Sequence, residues 1–129
     1  MYKVAIVGSR KFTNYTLMKK VLDPVRDKIA LIISGGADGA DTLAQQYAKE
    51  NGIPIHIYYP NWKRFGKSAG LKRNVIIANL AEKMIAFPTT ESKGTWHVIN
   101  KMKQFNKPVA IVMNEYHMDI IHKAAGMDL

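Results

Sequence analysis

The chain has 129 residues and a formal net charge of +9, because 19 Lys and Arg residues outnumber 10 Asp and Glu residues. Its length suits one domain over residues 1–129, and a hydrophobic content of 47% excludes a disordered polypeptide. The absence of cysteine excludes disulfides and thiolate metal sites. No apolar run reaches the roughly 18 residues of a membrane span, and we expect a cytoplasmic protein with no membrane partner.

Short apolar runs alternate with helix-like segments along the chain. Residues 4–7 are typical of a parallel strand that is buried on both faces. Thr13 or Asn14 can cap a first helix, and Asp23-Pro24 can open a further helical turn. The other predicted strands are residues 30–33, 53–58, 83–87 and 108–113. The other predicted helices run over about 39–51, from Ser68 to about 80, and over about 93–105.

This alternation predicts a Rossmann-like, doubly wound α/β fold with a mainly parallel five-stranded sheet and helices on both faces. The core is expected at about residues 3–113, followed by a C-terminal helical tail at 114–129. Within the tail, residues from about 116 to 125 are predicted to form a short helix with Met118, Ile121 and Ala125 inward. Apolar side chains in so short a tail also favour a homo-oligomer.

Four loop motifs follow the carboxyl ends of predicted strands, where the loops of an open α/β sheet converge on one crevice. The motifs are Gly8–Phe12, Ser34–Asp41, the stretch 62–74, and Ser92–Thr95. Their glycines allow close approach of a ligand, and their hydroxyl and basic residues supply donors for an anion. Eight of the 19 basic residues lie in or just after these loops: Arg10, Lys11, Lys63, Arg64, Lys67, Lys72, Arg73 and Lys93. The pattern predicts a site for a phosphorylated small molecule.

The motif Ser92–Thr95 follows a strand and opens a helix, so its free backbone N–H groups favour an anion. Ser92 and Thr95 add hydroxyl donors, and Gly94 leaves room for the ligand. The alternative is an ordinary helix cap by Ser92. Arg10 offers a planar fork suited to phosphate, and its alternative role is an ion pair with an acidic residue of the second loop.

The second loop combines Ser34, Gly35 and Gly36 with two acids, Asp38 and Asp41. One interpretation makes Asp38 the helix cap, with Asp41 in a capping-box-like position. The alternative is that a carboxylate accepts hydrogen bonds from a ribose or a base.

The stretch 62–74 contributes three candidate ligand contacts. Trp62 can stack on a base or cover a sheet edge, while Arg73 and Asn74 are expected to face the crevice from the first turns of a helix. Gly8 and Ser9 complete the predicted contacts. The four histidines lack metal-ligand spacing, so we expect no metal site.

These motifs together resemble the YspA/YpsA-related branch of the SLOG superfamily. The matching residues are Gly8–Phe12, Ser34–Asp41, Trp62 with Gly66, Ala69-Gly70 and Arg73-Asn74, and finally Ala86-Phe87 with Ser92 and Gly94-Thr95. They occur in the expected order over residues 4 to about 112. The resemblance implies a Rossmann-like fold and a nucleotide or ADP-ribose-like ligand, without an obligatory cofactor.

One departure concerns the LOG-type hydrolases of the same superfamily, whose motif Pro-Gly-Gly-x-Gly-Thr-x-x-Glu supplies a catalytic Glu. That Glu position falls on Val98, and the Pro-Gly-Gly half is replaced by residues that include Glu91 and Ser92. Asp38, Asp41 and Glu91 are the remaining local carboxylates, and cleavage of a glycosidic bond needs a positioned acid or nucleophile. Hydrolysis by the LOG mechanism is therefore not expected.

Three functional hypotheses remain open at this point. The first is a protein that senses, sequesters or processes a nucleotide-derived small molecule in the crevice. The second is a nucleoside-phosphate N-glycosidase that uses Asp38 or Asp41 as its acid or base. The third is a single-stranded nucleic-acid binder similar to DprA, which the charge of +9 and Trp62 favour.

Overall fold

The computed structural model describes residues 1–114 and 117–121. The strands are β1 (Tyr2–Gly8), β2 (Ile29–Ser34), β3 (Ile55–Ile57), β4 (Lys83–Phe87), β5 (Val109–Asn114) and β6 (His117–Ile121). The helices are α1 (Tyr15–Leu22), α2 (Ala40–Asn51), α3 (Trp62–Phe65), α4 (Ala69–Leu80) and α5 (Lys93–Gln104), with 3-10 turns at Asp23–Lys28 and Gly66–Ser68. The sheet order is β3-β2-β1-β4-β5-β6, with the first five strands parallel.

Two hydrophobic clusters lie on opposite faces of the sheet, because side chains alternate along each strand. In β1, Val4 and Ile6 belong to the cluster that includes α1 and α2, whereas Ala5 and Val7 belong to the cluster that includes α4 and α5. The predicted Rossmann-like, doubly wound fold with helices on both faces is thereby confirmed. Within the described ranges, no helix is both long enough and apolar enough to cross a membrane.

The end of the chain differs from the predicted tail helix. Residues His117–Ile121 form β6, which pairs antiparallel with β5, so the helix predicted over about 116–125 is wrong for these residues. A strand there satisfies the backbone N–H and C=O groups along the open edge of β5, which a helix would leave unpaired. The rest of the predicted tail helix, at 116 and 122–125, lies outside the described residues.

Local capping accounts for the observed bounds of α1, β3 and α3. Asn14 caps α1 by accepting from the Leu17 N–H at 3.0 Å, as predicted. β3 is shorter than the predicted strand 53–58, since the Ile53 N–H donates to the Ala48 carbonyl at 2.9 Å in the cap that ends α2. The predicted connection 60–67 contains α3, which Asn61 caps.

The start of α2 packs tightly against the loop that follows β1. Gly39 is the N-cap residue of α2, so the predicted cap by Asp38 is wrong. Gly39 has φ +71°, and a Cβ there would lie 2.3 Å from the Ser9 carbonyl oxygen. The same carbonyl accepts a hydrogen bond from the Ala40 N–H at 3.1 Å. Only glycine therefore permits this close approach of the two loops.

We expect Gly39→Ala to lower the free energy of unfolding by about 3 kcal/mol or more, because it adds backbone strain and a clash with the Ser9 carbonyl. Gly52→Ala is the matched control: Gly52 also has a positive φ, of +63°, but nothing lies within 4 Å of its added Cβ. The control should lose only about 1 kcal/mol. Urea titrations of both variants measure the difference, and equal losses would contradict the packing argument.

Candidate functional site

A pocket of about 350 Å³ lies at the carboxyl edge of the sheet, within the size range of small-ligand sites. The loops after β1, β2 and β4, the start of α2, the middle of α4 and the first turns of α5 form its walls. The pocket brings together ten of the predicted contacts, namely Gly8, Ser9, Arg10, Gly35, Asp41, Arg73, Asn74, Ser92, Gly94 and Thr95. The predicted convergence of the loops on one crevice is therefore seen in the structure.

Four predicted contacts do not line this pocket. Ser34 is fully buried at the end of β2, and its Oγ accepts from the Gly36 N–H at 3.5 Å. Gly36 packs against the Tyr59 ring. Asp38 is exposed beside the pocket, and Trp62 is 54% exposed on α3.

The pocket also contains residues that the sequence analysis did not propose as contacts: Val7, Lys11, Ala37, Ile77, Thr89, Glu91, Lys93 and Val98. Val7 and Ile77 are buried and apolar, and of the two only Val7, in the predicted buried strand at residues 4–7, was expected in the core. Val7 could have been found from its position next to the carboxyl end of β1, where the strand reaches the crevice. Ile77 had no such signal, since its contribution depends on how α4 crosses the sheet.

The N-terminus of α5 presents unpaired donors to the pocket. Ser92 is the N-cap residue, but its Oγ is hydrogen bonded to the Thr89 N–H and the Thr89 hydroxyl, both at 2.9 Å, and does not cap the helix. Among the described residues, no partner is found for the Gly94 N–H, the Thr95 N–H or the Thr95 hydroxyl. Thr95 is only 8% exposed. These donors and the helix dipole together favour an anion at this point.

The loop after β1 is held by its backbone and leaves Arg10 exposed at the pocket. The Ser9 N–H donates to the Phe87 carbonyl at 3.0 Å, and the Ser9 Oγ accepts from the Lys11 N–H at 3.1 Å. The alternative role of Arg10, an ion pair with Asp38 or Asp41, is not observed. Within residues 1–114 and 117–121, the salt bridge found is between Arg26 and Asp27.

Asp41 is a buried carboxylate in the pocket wall, with 5% exposure. Its Oδ2 accepts from the Ala37 N–H at 3.0 Å, so the carboxylate reaches back to the loop before α2. Its Oδ1 is buried without a hydrogen-bond partner among the described residues. Burial raises the pKa of Asp41 to about 6, against the opposing effects of the Ala37 N–H and the positive charge of Arg73.

Arg73 projects from α4 across the end of β2. Its Nη1 donates to the Gly35 carbonyl and, at 3.3 Å, to the Tyr58 carbonyl, while its Nε donates to the Asn74 Oδ1 at 3.0 Å. Burial lowers the pKa of Arg73, and the Asp41 carboxylate opposes that shift. No partner is found in the described part of the chain for Nη2, so two N–H donors of the guanidinium are available.

The balance of charge in the pocket favours an anionic ligand. Four basic side chains line it, from Arg10, Lys11, Arg73 and Lys93, against the two carboxyl groups of Asp41 and Glu91. Val98, at the position of the LOG glutamate, also lines the pocket and cannot ionise. Of the two predicted catalytic candidates, Asp41 lines the pocket and Asp38 does not.

The fold and this pocket define a Rossmann-like α/β domain with a crevice, lined by four basic side chains and two carboxyl groups, at the carboxyl ends of its strands. The family model described as "YspA, cpYpsA-related SLOG family" matches residues 2–65. The resemblance to the YspA/YpsA-related branch of the SLOG superfamily that was noted in the sequence is thereby confirmed over residues 2–65.

Two solved structures are similar to this chain. DNA processing protein A (DprA) from Streptococcus pneumoniae aligns with a TM-score of 0.74 and 24% identity over 88% of this chain and 51% of that chain. DprA from Helicobacter pylori, in a structure titled for its single-stranded DNA binding mode, aligns with a TM-score of 0.67 and 22% identity over 88% of this chain and 66% of that chain. These likenesses show a shared fold, and this chain spans less than two thirds of either protein. A comparison with curated protein sequences gives no match.

Asp41 is expected to make the protein less stable as the pH rises through its titration range. The pKa of Asp41 is about 6 in the folded protein, above its ordinary value of 3.8, so the folded state binds more protons between these values. Stability therefore falls as the pH rises from about 4 to about 6. Relative to Asp41→Asn, the free energy of unfolding of the wild type should fall by about 3 kcal/mol between about pH 4 and about pH 7.

The measurement is a series of urea titrations of both proteins at each pH. The comparison with Asp41→Asn cancels the contribution of the other titrating groups. Parallel curves for the two proteins would show that Asp41 titrates normally in the folded state.

Proposed function

We propose that this pocket binds a phosphate-bearing, nucleotide-derived small molecule. The observation that carries the proposal is the pairing of two features in one pocket: unpaired donors at the start of α5, and the buried Asp41 carboxylate with its free Oδ1. A phosphate satisfies the donors, and a sugar hydroxyl or base amino group satisfies the carboxylate. The match of residues 2–65 to a SLOG family model supports the same class of ligand.

The phosphate is assigned to the Gly94 and Thr95 N–H groups and the Thr95 hydroxyl, with Arg10 and the free Nη2 of Arg73 as charged donors. Hydrogen bonds to an ionised group are roughly twice as strong as those between neutral groups. A helix N-terminus adds a favourable dipole without a mobile side chain. The site is thereby suited to hold a phosphate in one orientation.

Asp41 is assigned to the sugar or base end of the ligand. A buried acceptor without a partner is costly, at about 1–3 kcal/mol, and a ligand hydroxyl would recover part of this cost. The ionised form of Asp41 accepts but does not donate. Asp41 therefore favours ligands with a hydroxyl or amino group over ligands that present only acceptors.

The proposed function does not require hydrolysis. The LOG glutamate position is Val98, so an N-glycosidase would depend on Asp41 or Glu91, the two carboxyl groups in the pocket. Chromatography for free base after incubation with AMP or NAD tests the enzyme hypothesis. If the protein releases free base and Asp41→Asn abolishes that release, its function is catalysis and not binding alone.

We expect AMP, ADP-ribose or NAD to raise the melting temperature in a thermal-shift screen, because a ligand that binds only the folded state stabilises it. Arg10→Ala and Thr95→Val should each weaken binding of the stabilising nucleotide by about 10-fold or more, since each removes a hydrogen bond to a charged group. Calorimetric titration gives the dissociation constants.

Lys103→Ala and Thr16→Val are the matched controls, because both residues are exposed and lie outside the pocket lining. They remove the same charge and the same hydroxyl, respectively, and should leave binding unchanged. If the pocket variants bind as tightly as these controls, the phosphate assignment is wrong.

A second candidate function is the binding of single-stranded nucleic acid. An exposed surface beside the pocket supports it. This aromatic–basic face consists of Tyr59, Trp62, Lys63, Arg64 and Lys72. Tyr59 is 67% and Trp62 54% exposed, and the three basic residues are also exposed. Exposed aromatic rings with interspersed cations suit stacked bases and a phosphate backbone, and the Helicobacter pylori DprA structure is titled for single-stranded DNA binding.

This second candidate predicts that oligo(dT) binds and that its affinity falls steeply with salt, because each neutralised phosphate releases counterions. Trp62→Ala should weaken that binding by about 10-fold, in line with the loss of one stacked base. Phe105→Ala, at an exposed aromatic ring beyond the end of α5, is the control and should have no effect. A shallow salt dependence, or equal binding by both variants, would leave the small-molecule proposal alone.

A further inference from the structure

Asn74 lies in the pocket wall, yet its side chain is fully engaged by the protein. It is 5% exposed, and its Nδ2 donates to the Gly94 carbonyl at 3.1 Å and to the His97 Nδ1 at 3.1 Å. Its Oδ1 accepts from the Arg73 Nε at 3.0 Å. Both N–H donors of the amide are therefore used, and the predicted role of Asn74 as a direct ligand contact has no free donor to support it.

We propose that Asn74 is a positioning residue that fixes two sides of the phosphate subsite relative to each other. One side is the first turn of α5, held through Gly94 and His97, and the other is the guanidinium of Arg73. The inference rests on the proposed function, because it assigns Asn74 a role in phosphate binding at the same site.

The bond to Gly94 controls the direction of a proposed phosphate donor. The Gly94 carbonyl and the Thr95 N–H belong to the same planar trans peptide, so they point in opposite directions. Holding the carbonyl against Asn74 therefore fixes the Thr95 N–H relative to α4. Gly94 lies in the first turn of α5, which directs the peptide along the helix axis, and the Asn74 bond ties that turn to α4.

The bond to Arg73 acts on the second side of the subsite, the guanidinium. The guanidinium is planar, and its Nε bond to Asn74 together with its Nη1 bond to the Gly35 carbonyl defines that plane. The remaining nitrogen, Nη2, therefore keeps one direction, and Arg73 does not have to change rotamer when a ligand binds. Pre-ordering of donors lowers the entropic cost of binding.

The contact with His97 specifies the state of the imidazole ring. Because an amide nitrogen donates and cannot accept, the His97 Nδ1 must be the acceptor, and the ring proton lies on Nε2. A doubly protonated ring would place two donors against each other. Burial lowers the pKa of His97, and the nearby Lys101 lowers it further, which favours the neutral ring that the Asn74 contact requires.

Calorimetric titration with AMP and with pyrophosphate tests the positioning role. Asn74→Ala should weaken both ligands by about 10-fold or more, because loss of the amide frees both walls of the subsite. Asn79→Ala is the matched control, as an exposed Asn on the same helix and outside the pocket lining. If Asn74→Ala binds both probes as tightly as the control, the positioning role is refuted while the proposed function stands.

Ligand binding by the wild type distinguishes failure of the Asn74 positioning role from failure of the proposed function. If it binds AMP or pyrophosphate, the comparison of variants decides the role of Asn74. If it binds neither AMP, pyrophosphate nor ADP-ribose, the proposed function fails, and the positioning role fails with it.

Asn74→Asp, which keeps the shape of the side chain, provides a second variant and a readout that does not need a ligand. Long-range ¹H–¹⁵N correlation of the His97 ring in the wild type should show a protonated Nε2 and an unprotonated, hydrogen-bonded Nδ1. In Asn74→Asp the new carboxylate should raise the pKa of His97, because it favours the charged ring. An Nδ1-protonated ring in the wild type, or an unchanged His97 titration in the variant, would overturn the proposed contact.

Discussion

The backbone of Ser9 joins the three loops on which the pocket depends. Its N–H continues the pairing of β1 with β4 by donating to the Phe87 carbonyl at 3.0 Å, and its carbonyl accepts from the Ala40 N–H at 3.1 Å at the start of α2. This second bond is close enough that Gly39 cannot carry a side chain. Parallel pairing places the carboxyl ends of neighbouring strands at one edge, and the Ser9 contacts then fix the distance between the loops that leave that edge.

With the loops fixed, the pocket holds opposite charges close together without joining them in a salt bridge. The Asp41 carboxylate lowers the cost of keeping Arg73 charged, and Arg73 in turn opposes the burial that raises the pKa of Asp41 to about 6. A salt bridge between Asp41 and Arg73 would occupy donors of the guanidinium and the free acceptor of the carboxylate. Instead Arg73 donates to the Gly35 and Tyr58 carbonyls, and the Asp41 Oδ1 has no hydrogen-bond partner among the residues that the structure describes. Groups kept apart in this way are stabilised electrostatically while retaining the capacity to bind a polar ligand.

Strong local patterns made most of this architecture predictable. Apolar runs that end in Gly8 or before Ser92 mark strand ends, and strand ends in a parallel sheet determine which loops meet. The same logic failed where a position depends on packing between distant elements. Trp62 lies on the short helix α3, outside the pocket lining. The Asn74 amide, although it lines the pocket, is bonded to Gly94 and His97 of α5, because the crossing of α4 over the sheet brings it there. β6 was missed since a five-residue segment is too short for its hydrophobic period to separate strand from helix, and the open edge of β5 decides in favour of a strand.

The two candidate functions make different use of the same positive charge, and the structure separates the two uses in space. Inside the pocket most of the proposed phosphate donors are fixed before a ligand arrives. These are backbone N–H groups, a buried hydroxyl and the Arg73 guanidinium, which the protein already holds, whereas Arg10 is exposed. On the aromatic–basic face the cations are long exposed side chains, and Arg64 and Lys72 lie over the Phe65 ring at 5.0 and 4.7 Å from its centroid. Fixed donors discriminate by geometry, whereas exposed lysines attract any polyanion and weaken with salt. Because Tyr59 packs against Gly36 at the edge of the second loop, the face adjoins the pocket. The two surfaces are therefore neighbours whose ligands differ in how strongly salt weakens their binding.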